Sequence, residues 1–332
     1  MRAPASAIVL LAAACSPGSV CSQRPAPDRV PVHEGYVTTT DSARLVYRVV
    51  GRGRDTVIAI HGGPGVDLES IAGDFGPLAA RHVVIFYDQR GAGRSTLPAD
   101  TGQLVVARQV ADLDEVRRHF RIARATLVAH SYGPLLAATY AIAHPDAVSR
   151  MVFFGPVPPR RGDFWQRVGA SMRTRLDSAD GARLGDAARR LADPRADARE
   201  ACRDYWAVAL KPRVADAAHA SAIVRADLCA SDPAGIRYGL GTTNRVVMAS
   251  YGDWNLLQAL RTLPTPTLVV HGEAESIPMD LVREWVTTLP NARLLTVPRA
   301  AHFTYAERPD LVWPAVERFL RESAISGYPA RE

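Results

Sequence analysis

Lysine is almost missing from this chain of 332 residues: Lys211 stands alone, and arginine supplies the rest of the 40 basic residues. The basic residues are scattered, with no stripe of Lys/Arg interleaved with aromatics, so the formal charge of +6 does not describe a nucleic-acid groove. Arg160-Arg161 and Arg189-Arg190 read as solvated surface pairs. Long apolar runs are also missing. The longest near the start, Ala7 to Ala14, is too short for a permanent membrane span. Cysteine is scarce, with four residues in all, two of them within the first 21. Cys202 and Cys229 lack the spacing and the histidine neighbours of a zinc site, and no other pattern calls for a metal or an organic cofactor.

The start of the chain, M-R-A-P-A-S-A-I-V-L-L-A-A-A-C, joins one arginine to a short apolar run and small residues. It reads as a bacterial export signal over residues 1–21, of the ordinary cleaved kind or of a lipoprotein kind with Cys15 as the lipid anchor. The expected location is therefore periplasmic, secreted or membrane-anchored. Residues 22–33 are proline-rich and aperiodic, as a linker would be. In an oxidising compartment Cys202 and Cys229 invite a disulfide, two separate buried thiols being the alternative.

With 47% hydrophobic residues the chain can bury a large core. Short apolar, β-branched runs recur at Thr56 to Ile60, His82 to Tyr87, Ala125 to Ala129, Ser149 to Phe154, Thr265 to Val270 and Ala292 to Val297. An opening hairpin is expected over Tyr36 to Val50. Helical spacing follows at Gln103 to Phe120, Leu135 to Ala143 and Asp310 to Phe319. This alternation describes a mostly parallel sheet flanked by helices. Residues 157–252 lack strand-like runs and are rich in alanine and arginine, so a helical cap inserted into an α/β core (34–156 and 253–325) is expected.

The stretch Thr126 to Pro134, T-L-V-A-H-S-Y-G-P, places Ser131 in a sharp turn between a buried strand and a helix start. Such a turn holds a nucleophilic serine at the sheet's edge, beside unpaired helix N–H groups. The pattern departs from G-x-S-x-G by one methyl group, at Ala129. Upstream, His61-Gly62-Gly63-Pro64-Gly65 follows a strand, so Gly63 can offer an unobstructed N–H to an oxyanion, with Tyr132 supplying the second. In Asp88 to Ser95, D-Q-R-G-A-G-R-S, Asp88 and Arg90 are expected to fix the turn by ion pairing.

H-G-G-P-G at 61–65, D-Q-R-G-A-G-R-S at 88–95 and the serine elbow at 129–133, in that order, resemble the α/β-hydrolase superfamily and its proline iminopeptidase-like branch of serine aminopeptidases. The resemblance implies the α/β-hydrolase fold, a lid over the serine, and a triad acid on the loop after the Thr265 to Val270 strand. Glu275 holds that place, with Glu273 as runner-up. It implies His302, after the last strand, as the base. The order Ser131, Glu275, His302 suits three loops at one sheet edge. The expected substrate is a small peptide or a small acyl compound. An esterase or lactonase on the same machinery remains open, as does a non-catalytic small-molecule binder. No stable partner is implied. The branch holds a free substrate amine with acidic residues, partly from the cap, but the expected Trp-Glu pair is replaced by Arg203-Asp204-Tyr205-Trp206-Ala207. Asp204 and Asp227, near the two cysteines, are the candidate substitutes.

Overall fold

A computed structural model describes residues 32–220 and 227–322. The expected export signal, Cys15 and nearly all of the expected linker lie outside these residues.

Eight strands form one sheet in the order β1-β2-β4-β3-β5-β6-β7-β8. They are β1 (Val32–Thr38), β2 (Arg44–Val50), β3 (Thr56–Ile60), β4 (Val83–Tyr87), β5 (Ala125–His130), β6 (Val148–Phe154), β7 (Thr267–Gly272) and β8 (Ala292–Val297). β2 pairs antiparallel with both β1 and β4, and every other neighbour pair is parallel. β1 begins earlier than the apolar pattern suggests, because backbone pairing continues to Val32 opposite Val50.

The central strands are apolar at nearly every position because both faces of the sheet are covered. On one side Ile58, Ile60, Ile85, Leu127, Ala129, Met151, Phe153 and Val269 join a core with α1 (Val106–His119) and α2 (Gly133–Ala143). On the other, the alternating residues Val57, Ala59, Val84, Phe86, Val128, Val152, Phe154, Leu268 and Val270 join a second core. This is the period-two division expected of strands buried on both faces.

Between β6 and β7 the described residues contain no strand. They hold α3 (Phe164–Arg173), α4 (Ser178–Ala192), α5 (Ala198–Ala209), a π-helical stretch at Tyr238–Thr243 and α6 (Asn244–Tyr251). Asp177 and Asp197 cap α4 and α5 by accepting backbone N–H groups. Cys202 on α5 and Cys229 form a disulfide with Cα atoms 5.9 Å apart. The sheet then resumes, with α7 (Met279–Thr288) after β7 and α8 (Pro309–Arg321) after β8. Among the described residues no helix is long and apolar enough to cross a membrane.

Candidate active site

β5 ends at His130, and Ser131 takes a left-handed conformation, φ 61°, before α2 begins at Gly133. That conformation is costly for a non-glycine residue, by about 1–3 kcal/mol, and persists only where the surroundings enforce it. Here the Ser131 N–H donates to the Phe154 carbonyl at 2.8 Å, and Val157 N–H donates to the Ser131 carbonyl at 2.9 Å. Small residues let the neighbouring chain press close. A Cβ on Gly133 would stand 2.7 Å from the Ile60 carbonyl oxygen, and one on Gly62 would stand 2.9 Å from Ser131 Cβ.

His302 follows β8 and Glu275 follows β7, so parallel pairing of the strands brings both loops to the edge where β5 ends. His302 Nε2 lies 3.0 Å from Ser131 Oγ, and its Nδ1 lies 2.8 Å from Glu275 Oε2. With Glu275 ionised, Nδ1 carries the proton and Nε2 is free to accept the serine O–H. Glu275 Oε1 accepts the N–H groups of Ser276 and Ile277. Burial opposes ionisation of Glu275, but the charge and hydrogen bond of His302 outweigh it and hold the carboxyl at about 2. Glu273, the runner-up acid, is exposed, and the carboxylate at His302 Nδ1 is that of Glu275. Gly155 is the remaining close neighbour: a Cβ there would stand 2.9 Å from His302 Nδ1.

Three further residues position the histidine, and the sequence reading missed them. His130 is buried, which pushes its pKa well below the usual value, and as a neutral ring its Nε2–H can donate to the His302 carbonyl at 3.2 Å. Glu307 accepts the N–H groups on either side of His302, from Ala301 at 2.8 Å and Phe303 at 3.3 Å. Its other oxygen accepts Ala215 N–H at 2.7 Å, from the helical insertion. Arg213, also in the insertion, accepts the His302 N–H on its carbonyl at 2.9 Å. His130 could have been found from its place beside the serine; Glu307 and Arg213 carry no motif.

The two glycine-rich motifs brace one another. His61 Nε2 accepts Gln89 N–H at 3.1 Å and Nδ1 donates to the Gly62 carbonyl at 2.9 Å, while burial holds the ring neutral with a pKa of about 4. Gly63 thereby lines the same cavity as Ser131 and His302. Tyr132 supplies the next backbone N–H after the serine, at the head of α2. The expected Asp88–Arg90 ion pair does not form. Arg90 is instead paired with Asp41 and Asp112, at 2.8 and 2.6 Å, and Asp88 accepts the backbone N–H groups of Leu68 and Arg94. Both residues fix the turn, but through separate partners, because each is buried and its polar atoms must be met where the chain offers a donor or acceptor.

Above the serine, the core and the insertion enclose a cavity of about 600 Å³. Its walls are largely apolar or aromatic, with Leu191, Tyr205, Trp206, Leu240 and Phe303 among them. The structure does not bring Asp204 and Asp227 to it. Asp204 is exposed and ion-paired with Arg190, and Asp227 is exposed and accepts Cys229 N–H at 3.0 Å. No carboxylate among the described residues lines the cavity, nor do those residues contain a His/Cys/Asp/Glu cluster fit for a metal ion.

The family model described as "alpha/beta hydrolase fold" matches residues 55–309. A proline iminopeptidase of Heyndrickxia coagulans is 34% identical over 124 residues, 37% of this chain and 43% of that relative, so the chain spans less than half of its length there. A proline iminopeptidase of Lactiplantibacillus plantarum is 26% identical over 278 residues, 79% of this chain and 91% of the relative. The crystal structure of proline iminopeptidase from Mycobacterium smegmatis superposes with a TM-score of 0.61 at 22% identity, covering 87% of this chain and 97% of that one, which speaks for the fold alone.

Proposed function

The chain belongs to the α/β hydrolase fold family, and from that premise we propose that it is a serine hydrolase working through an acyl-enzyme. The observation that carries this reading is the continuous Ser131–His302–Glu275 hydrogen-bond relay, with Ser131 and His302 lining one cavity. Ser131 Oγ attacks the substrate carbonyl carbon while His302 Nε2 takes its proton. The carbonyl electrons move to an oxyanion that accepts hydrogen bonds from the Gly63 and Tyr132 N–H groups. Collapse breaks the bond to the leaving group, which departs with the proton from His302. Water then gives a proton to His302 and attacks the acyl carbon, releasing the acid and restoring Ser131. Glu275 keeps the imidazole in the required tautomer and stabilises its charged form. No metal or organic cofactor enters these steps.

The curated relatives are proline iminopeptidases, which supports small peptides as substrates. A second reading, an esterase or lactonase on small acyl compounds, is favoured by the cavity itself: a substrate ammonium would find no carboxylate among its described walls. In either case the insertion acts as the lid that shapes the substrate. Action outside the cytoplasm is supported by the Cys202–Cys229 disulfide, since such bridges persist in oxidising compartments.

The test is labelling with a fluorophosphonate and turnover of a panel of aminoacyl amides and 4-nitrophenyl esters. Wild type is expected to be labelled at Ser131, and Ser131→Ala to lose both labelling and turnover, by about 10^4 to 10^6 in rate. Retention of more than a tenth of the activity by Ser131→Ala would remove the serine from its role.

A further inference from the structure

Among the described residues two arginines line the cavity above Ser131, and they are used differently. Arg237 is consumed by the fold: Nη1 donates to the carbonyls of Arg190 and Leu191 at 3.1 and 2.6 Å, and Nη2 donates to Ala196. It closes the C-terminal end of α4. Arg213 is not consumed. Among the described residues its side chain donates only to the Ala209 carbonyl, rests 6.0 Å from the Trp206 ring centre, and makes no ion pair. Four of its five N–H donors therefore remain for something else.

Its position is fixed relative to the reacting groups. The Arg213 carbonyl accepts His302 N–H, Pro212 accepts Ser276 Oγ–H beside the acid, and Ala215 N–H donates to Glu307. The segment 211–215 is thus tied to both the acid loop and the base loop. A half-buried guanidinium held in an aromatic-walled cavity with no counter-ion among the described residues is electrostatically incomplete. A planar carboxylate, paired in bidentate fashion, completes it.

We infer that this site takes substrates bearing a free carboxylate, held by Arg213, with the scissile carbonyl at Ser131. This rests on the serine-hydrolase reading and narrows it: the recognised charge is an anion on the substrate and not an ammonium. Arg213 is a specificity-determining residue in this scheme, set on the insertion while the chemistry stays on the sheet.

The experiment compares 4-nitrophenyl hemiglutarate, 4-nitrophenyl pentanoate and prolyl 4-nitroanilide on wild type, Arg213→Gln and Arg213→Lys, with fluorophosphonate labelling alongside. Wild type is expected to favour the hemiglutarate over the pentanoate by about ten- to a hundredfold in kcat/KM, the range for a charge-assisted contact. In Arg213→Gln that ratio should fall towards one, mainly through KM, and Arg213→Lys should restore part of it. A wild-type ratio near one, or a preference for the free-amine anilide, overturns the inference while labelling at Ser131 leaves the hydrolase reading standing. Labelling that the hemiglutarate neither slows nor competes with, in the absence of turnover, overturns it as well. No labelling and no turnover would instead sink the hydrolase reading on which it depends.

Discussion

At the scale of single residues, Glu275 shows how a buried carboxylate is kept charged. Burial raises its pKa, the partner histidine lowers it further than burial raises it, and the net value is about 2. Because the folded value lies below the ordinary 4.5, the ionised Glu275 carboxylate contributes stability that is fully present above about pH 4.5. That contribution is lost as pH falls from about 4.5 towards about 2. Glu275→Gln should lower the rate by about 10^2 to 10^4. Its stability deficit relative to wild type should be widest near neutrality and shrink through that acid window, read by urea unfolding at a series of pH values. Glu273→Gln should do little to either quantity, since its side chain is exposed. A larger rate loss in Glu273→Gln would reassign the acid. The candidate triad is legible in the serine turn and in what the resemblance implies for the loops after β7 and β8, and the structure brings His302 within hydrogen-bond distance of both Ser131 and Glu275. Asp204 and Asp227 were placed by analogy and by nearness to cysteines, and sequence proximity does not say which way a side chain on an exposed helix points.

At the scale of elements, the strands and main helices were readable from apolar periodicity, and what escaped was the set of bonds joining loops. Glu307 is the clearest case. It sits in a short helical turn with no motif, 92 residues along the chain from Ala215, yet it accepts N–H groups from Ala215, Ala301 and Phe303. Burial raises its pKa, and the three donors work against that rise. Glu307→Gln puts an amide NH2 where one acceptor oxygen stood, leaving a buried N–H without a partner at a cost of about 1–3 kcal/mol. Because Glu307 touches no reacting atom, it is a positioning residue. The expected result is a lower kcat with fluorophosphonate labelling still directed to Ser131 but slowed, and a lowered melting temperature. Wild-type kcat in a stably folded Glu307→Gln would show that the histidine loop holds itself. The Arg90 network was hidden for a similar reason: its partners Asp41 and Asp112 lie on other elements, and only the fold brings them within 2.8 and 2.6 Å.

At the scale of the whole molecule, the two parts of the chain are held by unequal means. The sheet body has large apolar cores on both faces, one containing Trp285 and Tyr140 and the other Phe75, Tyr305 and Trp313. The insertion has a much smaller cluster of its own, built on Ala198, Cys202, Cys229 and Ile236. Other insertion residues, Phe164, Val168, Leu210 and Val214 among them, pack into the sheet body's cores, so the staple acts on this local cluster, where closing the 27-residue interval between the cysteines contributes about 3.5 kcal/mol on the chain-entropy account. Reduction should therefore act locally. The expected outcome is that dithiothreitol, or the Cys202→Ser and Cys229→Ser double variant, splits unfolding into two steps. Turnover should be lost in the first, because Arg213 and Ala215 are the insertion's grips on the His302 loop. Most helical and strand signal should survive to the second, at a midpoint close to that of the oxidised protein. Far-ultraviolet circular dichroism and turnover, followed together along a heating series, separate these steps. A single coincident transition, shifted as a whole by reduction, would mean instead that the insertion and the sheet body fold as one cooperative unit and that the bridge stabilises both.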